Sequence, residues 1–302
     1  MQVIRNFSQL TEALADCPQV TVAVAYPHDD HTVEAIAQAL DKHIAKFILV
    51  GDAARLSQSE LAVNHPSDIH IVDAPDSDTA ARMAVELVGA GKADVLMKGK
   101  LNTDNLLRAV LNKEWGILPK GNVLSHVTVS EIPGRDKLLI YGDVAVIPCP
   151  TLDQRRAMIG YLADVARTLG CQLPRIALTH FTEKVNPKFP VSTDYVELRD
   201  EAIAGRWGSV IVDGPMDIAT ATDPDTGRIK GIDSPIQGQA DCLMMADIEA
   251  GNVFYKTLTH FGHATNAGML VGAKAPVVVP SRGDSAASKL ASLALACLMA
   301  AN

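Results

Sequence analysis

Short runs of β-branched and other apolar residues alternate with helix-forming stretches over most of this 302-residue chain. Residues 20–25 (VTVAVA), 47–50 and 69–72 are strand candidates, and patterns with a helical period separate them. Continuous apolar runs, rather than alternating ones, are typical of strands that are buried on both faces. The pattern therefore predicts an α/β protein with mainly parallel sheets that helices cover on both sides.

The pattern changes between residues 123 and 146, where two strand runs surround the turn-like string PGRDK. Two strands around such a turn indicate antiparallel pairing inside a mixed sheet. The chain shows no Gly/Ser-rich linker, so a domain boundary has to be a place where the chain crosses over. We expect crossings near Ile140 and Leu270, which predicts a first α/β/α domain from residues 1–139 plus 270–302 and a second from residues 140–269.

Charge and cysteine usage exclude several classes of function. The net charge of −8 argues against a nucleic-acid partner, so an anionic ligand would need a local cluster of basic residues. The five cysteines are scattered without CxxC pairs or metal-ligand spacing, as expected of reduced thiols. The first residues, MQVIRNFSQL, lack a signal-peptide pattern, and no apolar run is long enough to span a bilayer. These features predict a cytoplasmic protein without a membrane partner.

The stretch PVVVPSRGDSAASK, residues 276–289, has the form of a strand that ends just before a helix. Ligands of open α/β sheets bind outside the carboxyl ends of the strands, where Ser281, Arg282 and Gly283 are expected to lie. The helix would offer free N–H groups, and the Arg282 guanidinium suits a phosphate. A plainer explanation makes Ser281 a helix cap and Arg282 a solvated surface charge, and this stretch alone slightly favours it.

Two further stretches place basic and polar residues in similar positions. In VLMKGKLNTDNLLRAVL, the residues Lys98, Lys100, Thr103 and Arg108 fall in a loop and the first turns of a predicted helix. In ADIEAGNVFYKTLTH, Asn252 and Lys256 follow an apolar run. Each stretch also has a purely structural explanation. The first could be a solvated lysine-rich loop followed by a helix cap, and the second could be an ordinary Gly-Asn turn or cap. The chain is acidic overall, yet the loop with Arg282 and the loop with Lys98 and Lys100 are both basic and both lie between a strand and a helix. Together these two loops favour an anion site.

Four strings carry a resemblance to a known family along nearly the whole chain. They are MKGKLNTDNLLRAVLNKEWGI, LSHVTVSEIP, ADCLMMADIEAGNVFYKTL and GAKAPVVVPSRGDS. Together they resemble the phosphate acetyl/butyryltransferase family. The SHV and KGKLNT strings are more similar to the butyryl branch, whereas the SRG form is more similar to the acetyl branch.

The resemblance implies the reaction acyl-CoA + phosphate ⇌ acyl phosphate + CoA, with acetyl or butyryl-like acyl groups. It implies two α/β/α domains with an active-site cleft between them, and a homo-oligomer, dimer or larger. Coenzyme A would be a substrate, with no permanently bound cofactor and no metal. The implied catalytic residues are Ser281 and Arg282, and the nearby carboxylate Asp284 is added as a candidate. The resemblance places Arg108 and Lys256 near the anionic substrates. We expect the full set of substrate and coenzyme A contacts to be Lys98, Lys100, Thr103, Arg108, Ser125, Asn252, Lys256 and His260.

The chain departs from the acetyl branch at positions that bear on the catalytic base. Ser288 stands where that branch has an aspartate directed toward the coenzyme A thiol, and Asp284 is the nearest carboxylate. His260 stands in place of an arginine, and Ala219 in place of the second aspartate of a D-G-x-x-x-x-D pattern. The base is therefore Asp284, His260 or solvent.

Two alternatives belong to other functional classes. A non-catalytic sensor that binds coenzyme A or phosphate on the same scaffold would explain the missing aspartates. A dehydrogenase of the isocitrate/isopropylmalate type shares the fold, but it needs a carboxylate cluster for Mg²⁺ that the sequence does not show. The acyl chain and the physiological direction stay open.

Overall fold

The computed structural model describes residues 3–281 and 283–302, and Arg282 lies outside the described residues. The chain divides into two compact units. The middle unit comprises residues 3–6 and Ser125–Ala264, and the outer unit comprises Phe7–Leu124 and Thr265–Asn302.

The strands of the described residues are β1 (Val20–Ala25), β2 (Ala45–Gly51), β3 (Ile69–Asp73), β4 (Val95–Lys98), β5 (Ser125–Glu131), β6 (Leu139–Gly142), β7 (Arg175–Thr179), β8 (Ile211–Met216), β9 (Cys242–Met244), β10 (Thr265–Val271) and β11 (Val277–Val278). The α-helices are α1 (Phe7–Ala13), α2 (Asp30–Asp41), α3 (Ala53–Ser57), α4 (Glu60–Asn64), α5 (Ser77–Gly89), α6 (Thr103–Val110), α7 (Leu152–Thr168), α8 (Pro190–Ile203), α9 (Ile218–Thr222), α10 (Pro224–Lys230), α11 (Ile248–His260) and α12 (Ala286–Ala301). None of these helices combines the length and apolar character needed to cross a membrane.

The outer unit is built on strands in the order β3-β2-β1-β4-β11-β10. The pairs are parallel from β3 to β11, and β10 runs antiparallel to β11. Residues 22–25 of β1 are fully buried, as their continuous apolar run predicts. Helix α12 packs on α2 and β10, and α5 packs on α6, β1 and β2.

The middle unit has strands in the order β5-β6-β9-β7-β8. Strands β5 and β6 pair antiparallel with Val129 opposite Ile140, and the remaining neighbours are parallel. The predicted antiparallel pair around PGRDK is therefore present. Tyr141, Leu243 and Met216 belong to one buried cluster in this unit. The α/β class with mainly parallel sheets is confirmed.

The chain passes between the units at residues 6–7, 124–125 and 264–265. The second and third of these positions precede the expected crossings near Ile140 and Leu270. The physical reason is strand pairing: a boundary at Ile140 would divide the hydrogen-bonded pair β5–β6, and a boundary at Leu270 would divide β10. The cleft expected between the domains stays a prediction.

Candidate active site

A cavity of about 500 Å³ lies in the outer unit, at the edge where β1, β4 and β11 end. These strands are parallel neighbours, so the loops that follow them gather at one edge of the sheet. Helices α2, α6 and α12 each begin after one of these strands and direct the positive ends of their dipoles toward this edge. Lys98, Lys100 and Ser281, which the sequence predicts as site residues, line the cavity.

Lys98 is the last residue of β4 and is only 5% exposed. Its Nζ donates to the carbonyl oxygens of Gly99 at 3.3 Å and Leu101 at 3.2 Å, so the loop curls around the ammonium group. A Cβ at position 99 would lie 2.4 Å from the Tyr26 carbonyl oxygen, so only glycine fits there. Lys100 is exposed. The KGK string thus places one lysine inside the cavity wall and one at its surface.

The loop before α12 is closed by Asp284. The Ser281 backbone N–H donates to Asp284 Oδ2 at 2.7 Å, and the Asp284 N–H donates to the Ser281 carbonyl at 3.2 Å. The cap of α12 is Ser285, whose hydroxyl accepts from the Ser288 N–H at 3.2 Å. Ser281 is therefore an exposed loop residue rather than the helix cap. The predicted catalytic Arg282 lies outside the described residues.

Ser288, which stands at the position of the aspartate of the acetyl branch, lies in the first turn of α12. Its hydroxyl accepts from the Asn266 backbone N–H of β10 at 3.4 Å and lies 3.3 Å from the Ser285 hydroxyl. The side chain at this position thus contacts the neighbouring strand and the helix cap.

A second, more open cavity of about 400 Å³ lies beside helix α6. Arg108 lines it together with Arg82 and Trp115, and the Arg82 guanidinium carbon lies 5.3 Å from the centroid of the Trp115 ring. Asn105 lines both cavities. Thr103 is exposed at the first position of α6. The helix thus joins the lysine-lined cavity to a surface that carries two arginines and an aromatic ring.

In the middle unit, the predicted site residue Ser125 is bonded to a buried carboxylate. The Ser125 hydroxyl and the His126 N–H each donate to Asp143 Oδ2 at 2.9 Å. Asp143 is 1% exposed, and its Oδ1 accepts from the backbone N–H groups of Ala145 at 2.7 Å and Val146 at 2.8 Å. The bonds from Ser125 and His126 fasten Asp143 to β5, and the other two stabilise the loop after β6, so Ser125 has a structural role in this unit.

The remaining predicted residues of the middle unit lie along one face of α11. Asn252, Lys256 and His260 are spaced by four residues and are all exposed. The Asn252 side-chain amide donates to the Val144 carbonyl at 3.1 Å, and Lys256 Nζ lies 4.8 Å from the centroid of the Tyr255 ring. The helix thus presents an amide, an ammonium and an imidazole in a row.

The aspartates of the interrupted D-G-x-x-x-x-D pattern have structural partners. Asp213 accepts from the Ser234 hydroxyl at 2.6 Å. Asp217 caps α9 by accepting from the Thr220 N–H at 2.7 Å, and it pairs with Lys230 at 2.5 Å. Although burial raises the pKa of Asp217, hydrogen bonds from Lys230 and Thr220 bring it below the ordinary value. Asp217 is therefore an ion-paired cap.

Among the residues of the lysine-lined cavity that sequence reasoning missed are two charged ones, Lys289 and Asp29. A signal was present for the first, since Lys289 is the single charged residue of helix α12 (AASKLASLALACLMAA). Arg82 and Trp115 carried no such signal, because the surface that they share is formed by two separate helical segments. Within residues 3–281 and 283–302, no group of three or more His, Cys, Asp or Glu side chains is placed to hold a metal ion.

Comparison with known proteins gives one consistent result. A family profile described as "Phosphate acetyl/butaryl transferase" matches residues 76–297. The phosphate butyryltransferase of Clostridium beijerinckii is 39% identical over 98% of this chain and 98% of its own length. The phosphate acetyltransferase of Thermotoga maritima is 36% identical over 92% of this chain and 95% of its own length.

A solved structure agrees with these sequence relatives. The branched-chain phosphotransacylase from Enterococcus faecalis V583 matches with a TM-score of 0.82 and 32% identity, over 93% of this chain and 99% of that one. Both the profile and the relatives span most of the chain, including the strings that carry Lys98, Ser125, Lys256 and Ser281. The chain belongs to the phosphate acetyl/butyryl transferase family.

Proposed function

We propose that the protein is a phosphate acyltransferase that moves an acyl group between coenzyme A and inorganic phosphate. The observation that carries this proposal is the nearly full-length similarity to phosphate butyryltransferases and phosphate acetyltransferases. The lysine-lined cavity supports it, because phosphate and acyl phosphate are anions in a protein with a net charge of −8. Since the relatives are named as enzymes, they favour catalysis over the alternative of a non-catalytic sensor.

The proposed reaction needs stabilisation of negative charge more than it needs a protein nucleophile. A coenzyme A thiolate attacks the carbonyl carbon of an acyl phosphate, the oxyanion collapses, and the C–O bond to phosphate breaks. In the reverse direction a phosphate oxygen attacks the thioester and the thiolate leaves. Holding the two substrates in line supplies much of the acceleration, and fixed cations stabilise the tetrahedral oxyanion.

The phosphate end of the site is proposed at the lysine-lined cavity. Two carbonyl groups hold the Lys98 ammonium group, so its position is set before substrate binds. Lys100 and Ser281 line the same cavity, and helix N-termini converge on it. Arg282 follows Ser281 directly, and we assign it the phosphoryl group because its planar fork matches phosphate oxygens.

Coenzyme A carries phosphates and an adenine that need cations and a flat apolar surface. Arg108, beside Arg82 and Trp115, is proposed as one contact region, with Thr103 at the start of the same helix. Asn252, Lys256 and His260 are proposed as further contacts on α11. Asp284 is kept as a candidate base. Ser125 is kept as a proposed substrate contact, and the alternative is the purely structural role that its bond to Asp143 gives it.

A homo-oligomer, dimer or larger, and a cytoplasmic location complete the proposal. The location is supported by the cysteines, all five of which are free thiols.

The activity is tested by following the loss of the coenzyme A thiol in the presence of acetyl, butyryl and branched-chain acyl phosphates, without metal or nicotinamide. We expect thiol loss to match phosphate release one to one, with the best acyl chain identified by kcat/KM. Lys98→Met should reduce turnover strongly, whereas Lys42→Met, at the exposed far end of α2, should not. Absence of turnover with every acyl phosphate, together with retained coenzyme A binding, would favour the sensor.

A further inference from the structure

A buried lysine from the C-terminal helix lines the same cavity. Lys289 lies in the first turn of α12 and is only 4% exposed, which is unusual for a lysine. It joins Lys98, itself 5% exposed, in the wall of the 500 Å³ cavity. Two lysines this deeply buried in one wall require anionic or carbonyl partners, because burying an uncompensated ammonium group is costly.

The partners of the two lysines differ. Lys98 donates to two carbonyl groups. Among the described residues, Lys289 Nζ has an ion pair with Asp29 Oδ1 at 3.7 Å, which is longer than a hydrogen bond. The same Asp29 oxygen accepts from the Thr32 N–H at 2.9 Å as the cap of α2. An ammonium group has three donors, so Lys289 keeps donor capacity toward the cavity.

The charges around the cavity do not balance. Its lining holds three lysines, Lys98, Lys100 and Lys289, against one carboxylate, Asp29, among the described residues. The side chain of Asp29 is 27% exposed, so it can shift toward solvent when a stronger anion approaches Lys289. A phosphate with one or two negative charges supplies the missing charge and several acceptor oxygens.

We infer that Lys289 binds the phosphate that enters or leaves the reaction, and that Asp29 positions its ammonium group until the anion binds. This inference rests on the proposed function and names a residue of its site. Asp29 and phosphate compete for Lys289, so removing the charge of Asp29 has the opposite effect on phosphate binding from removing the charge of Lys289.

Steady-state kinetics in the acyl-phosphate-forming direction distinguish an effect on the binding of inorganic phosphate from an effect on the binding of the phosphates of coenzyme A. Lys289→Met should raise the KM for inorganic phosphate about tenfold or more, the equivalent of about 1.4 kcal/mol or more, and leave the KM for acyl-CoA within about twofold. Asp29→Asn keeps a good helix cap and should lower the KM for phosphate. A phosphate KM within twofold of wild type in Lys289→Met would overturn the inference, as would an effect confined to acyl-CoA.

A binding measurement covers the case in which a variant is inactive. Inorganic phosphate, at constant ionic strength, should raise the Tm of the wild type and of Lys42→Met but not of Lys289→Met. If the wild type shows no turnover yet this pattern holds, the proposed function fails and the phosphate site stands. A wild type whose Tm does not respond to phosphate contradicts the site.

The double variant Lys289→Met/Asp29→Asn removes both charges of the pair and should recover thermal stability relative to Lys289→Met alone. We expect it to remain insensitive to phosphate. Recovery of the phosphate response in the double variant would show that the uncompensated Asp29 caused the defect, and the inference would be wrong.

Discussion

Gly251 shows how a single residue fixes the position of a helix in the middle unit. A Cβ built at this position would lie 2.1 Å from the Asp143 carbonyl oxygen, so α11 can approach the loop after β6 only with glycine there. Gly251→Ala should destabilise the fold by about 1–3 kcal/mol in urea or thermal unfolding. Gly227→Ala in α10, with nothing within 4 Å of its Cβ, should be neutral or slightly stabilising. Equal stability of the two variants would contradict this packing.

Substitution of Ser125 distinguishes a structural role of this residue from a role in substrate binding. Its hydroxyl is one of the donors to the buried carboxylate of Asp143. Ser125→Ala leaves that acceptor one donor short and should cost about 1–3 kcal/mol of unfolding free energy. We expect the KM values for coenzyme A and acyl phosphate to stay near those of the wild type. A raised KM with unchanged stability would instead support Ser125 as a substrate contact.

At the scale of elements, Lys230 at the end of α10 joins α9 to the loop after β7. Its Nζ lies 2.5 Å from Asp217 Oδ2 and 2.8 Å from Glu183 Oε1. Burial raises the pKa values of both carboxyl groups, but hydrogen bonds from Lys230 and Thr220 lower them by more. A carboxyl group with a lowered folded-state pKa adds stability that is complete above its unfolded pKa of about 4 and is lost as pH falls through the folded-state value.

We therefore expect Lys230→Met to lower the Tm at pH 7 and to have a progressively smaller effect as pH falls through the folded-state pKa values of the two carboxyl groups, which lie below their ordinary values. Lys188→Met is a suitable control, because Lys188 is exposed in the same unit and forms no ion pair with any of the described residues. The measurement is thermal unfolding of both variants across pH 3–7. A Tm difference from the wild type that is the same at all pH values would show that the loss comes from packing.

At the scale of the whole molecule, the group that deprotonates the coenzyme A thiol determines how the activity depends on pH. Ser288 occupies the slot of the expected aspartate and contacts the backbone of β10, and Asp284 Oδ2 already accepts a backbone N–H. A free thiol has a pKa of about 8.5, so acylation of coenzyme A should keep rising toward alkaline pH. Ser288→Asp should raise kcat near neutral pH more than at pH 9.

The pH profiles of Asp284→Asn and His260→Ala distinguish the alternatives. A wild-type profile that is flat above neutral pH, with a severe loss in Asp284→Asn, would identify Asp284 as the base. A profile that His260→Ala flattens would assign the proton to His260. Retention of the alkaline rise in both variants is the result that we expect.

The sequence by itself determined the α/β class, the antiparallel pair around PGRDK, and the family. These properties depend on local pattern: continuous apolar runs such as residues 20–25 report burial on both faces, and strings such as KGKLNT keep their spacing whatever surrounds them. The strand-to-helix positions of Lys98 and Ser281 follow from the same local signals.

Only the tertiary structure decided which of these loops share a cavity. Strands β4 and β11 are far apart in sequence, yet they pair with Leu96 opposite Val277, which brings Ser281 to the wall that holds Lys98. The ion pair between Asp29 and Lys289 likewise joins distant segments. Such pairings depend on strand order and helix packing, which arise when the whole apolar surface is buried together, and no local spacing in the chain encodes them.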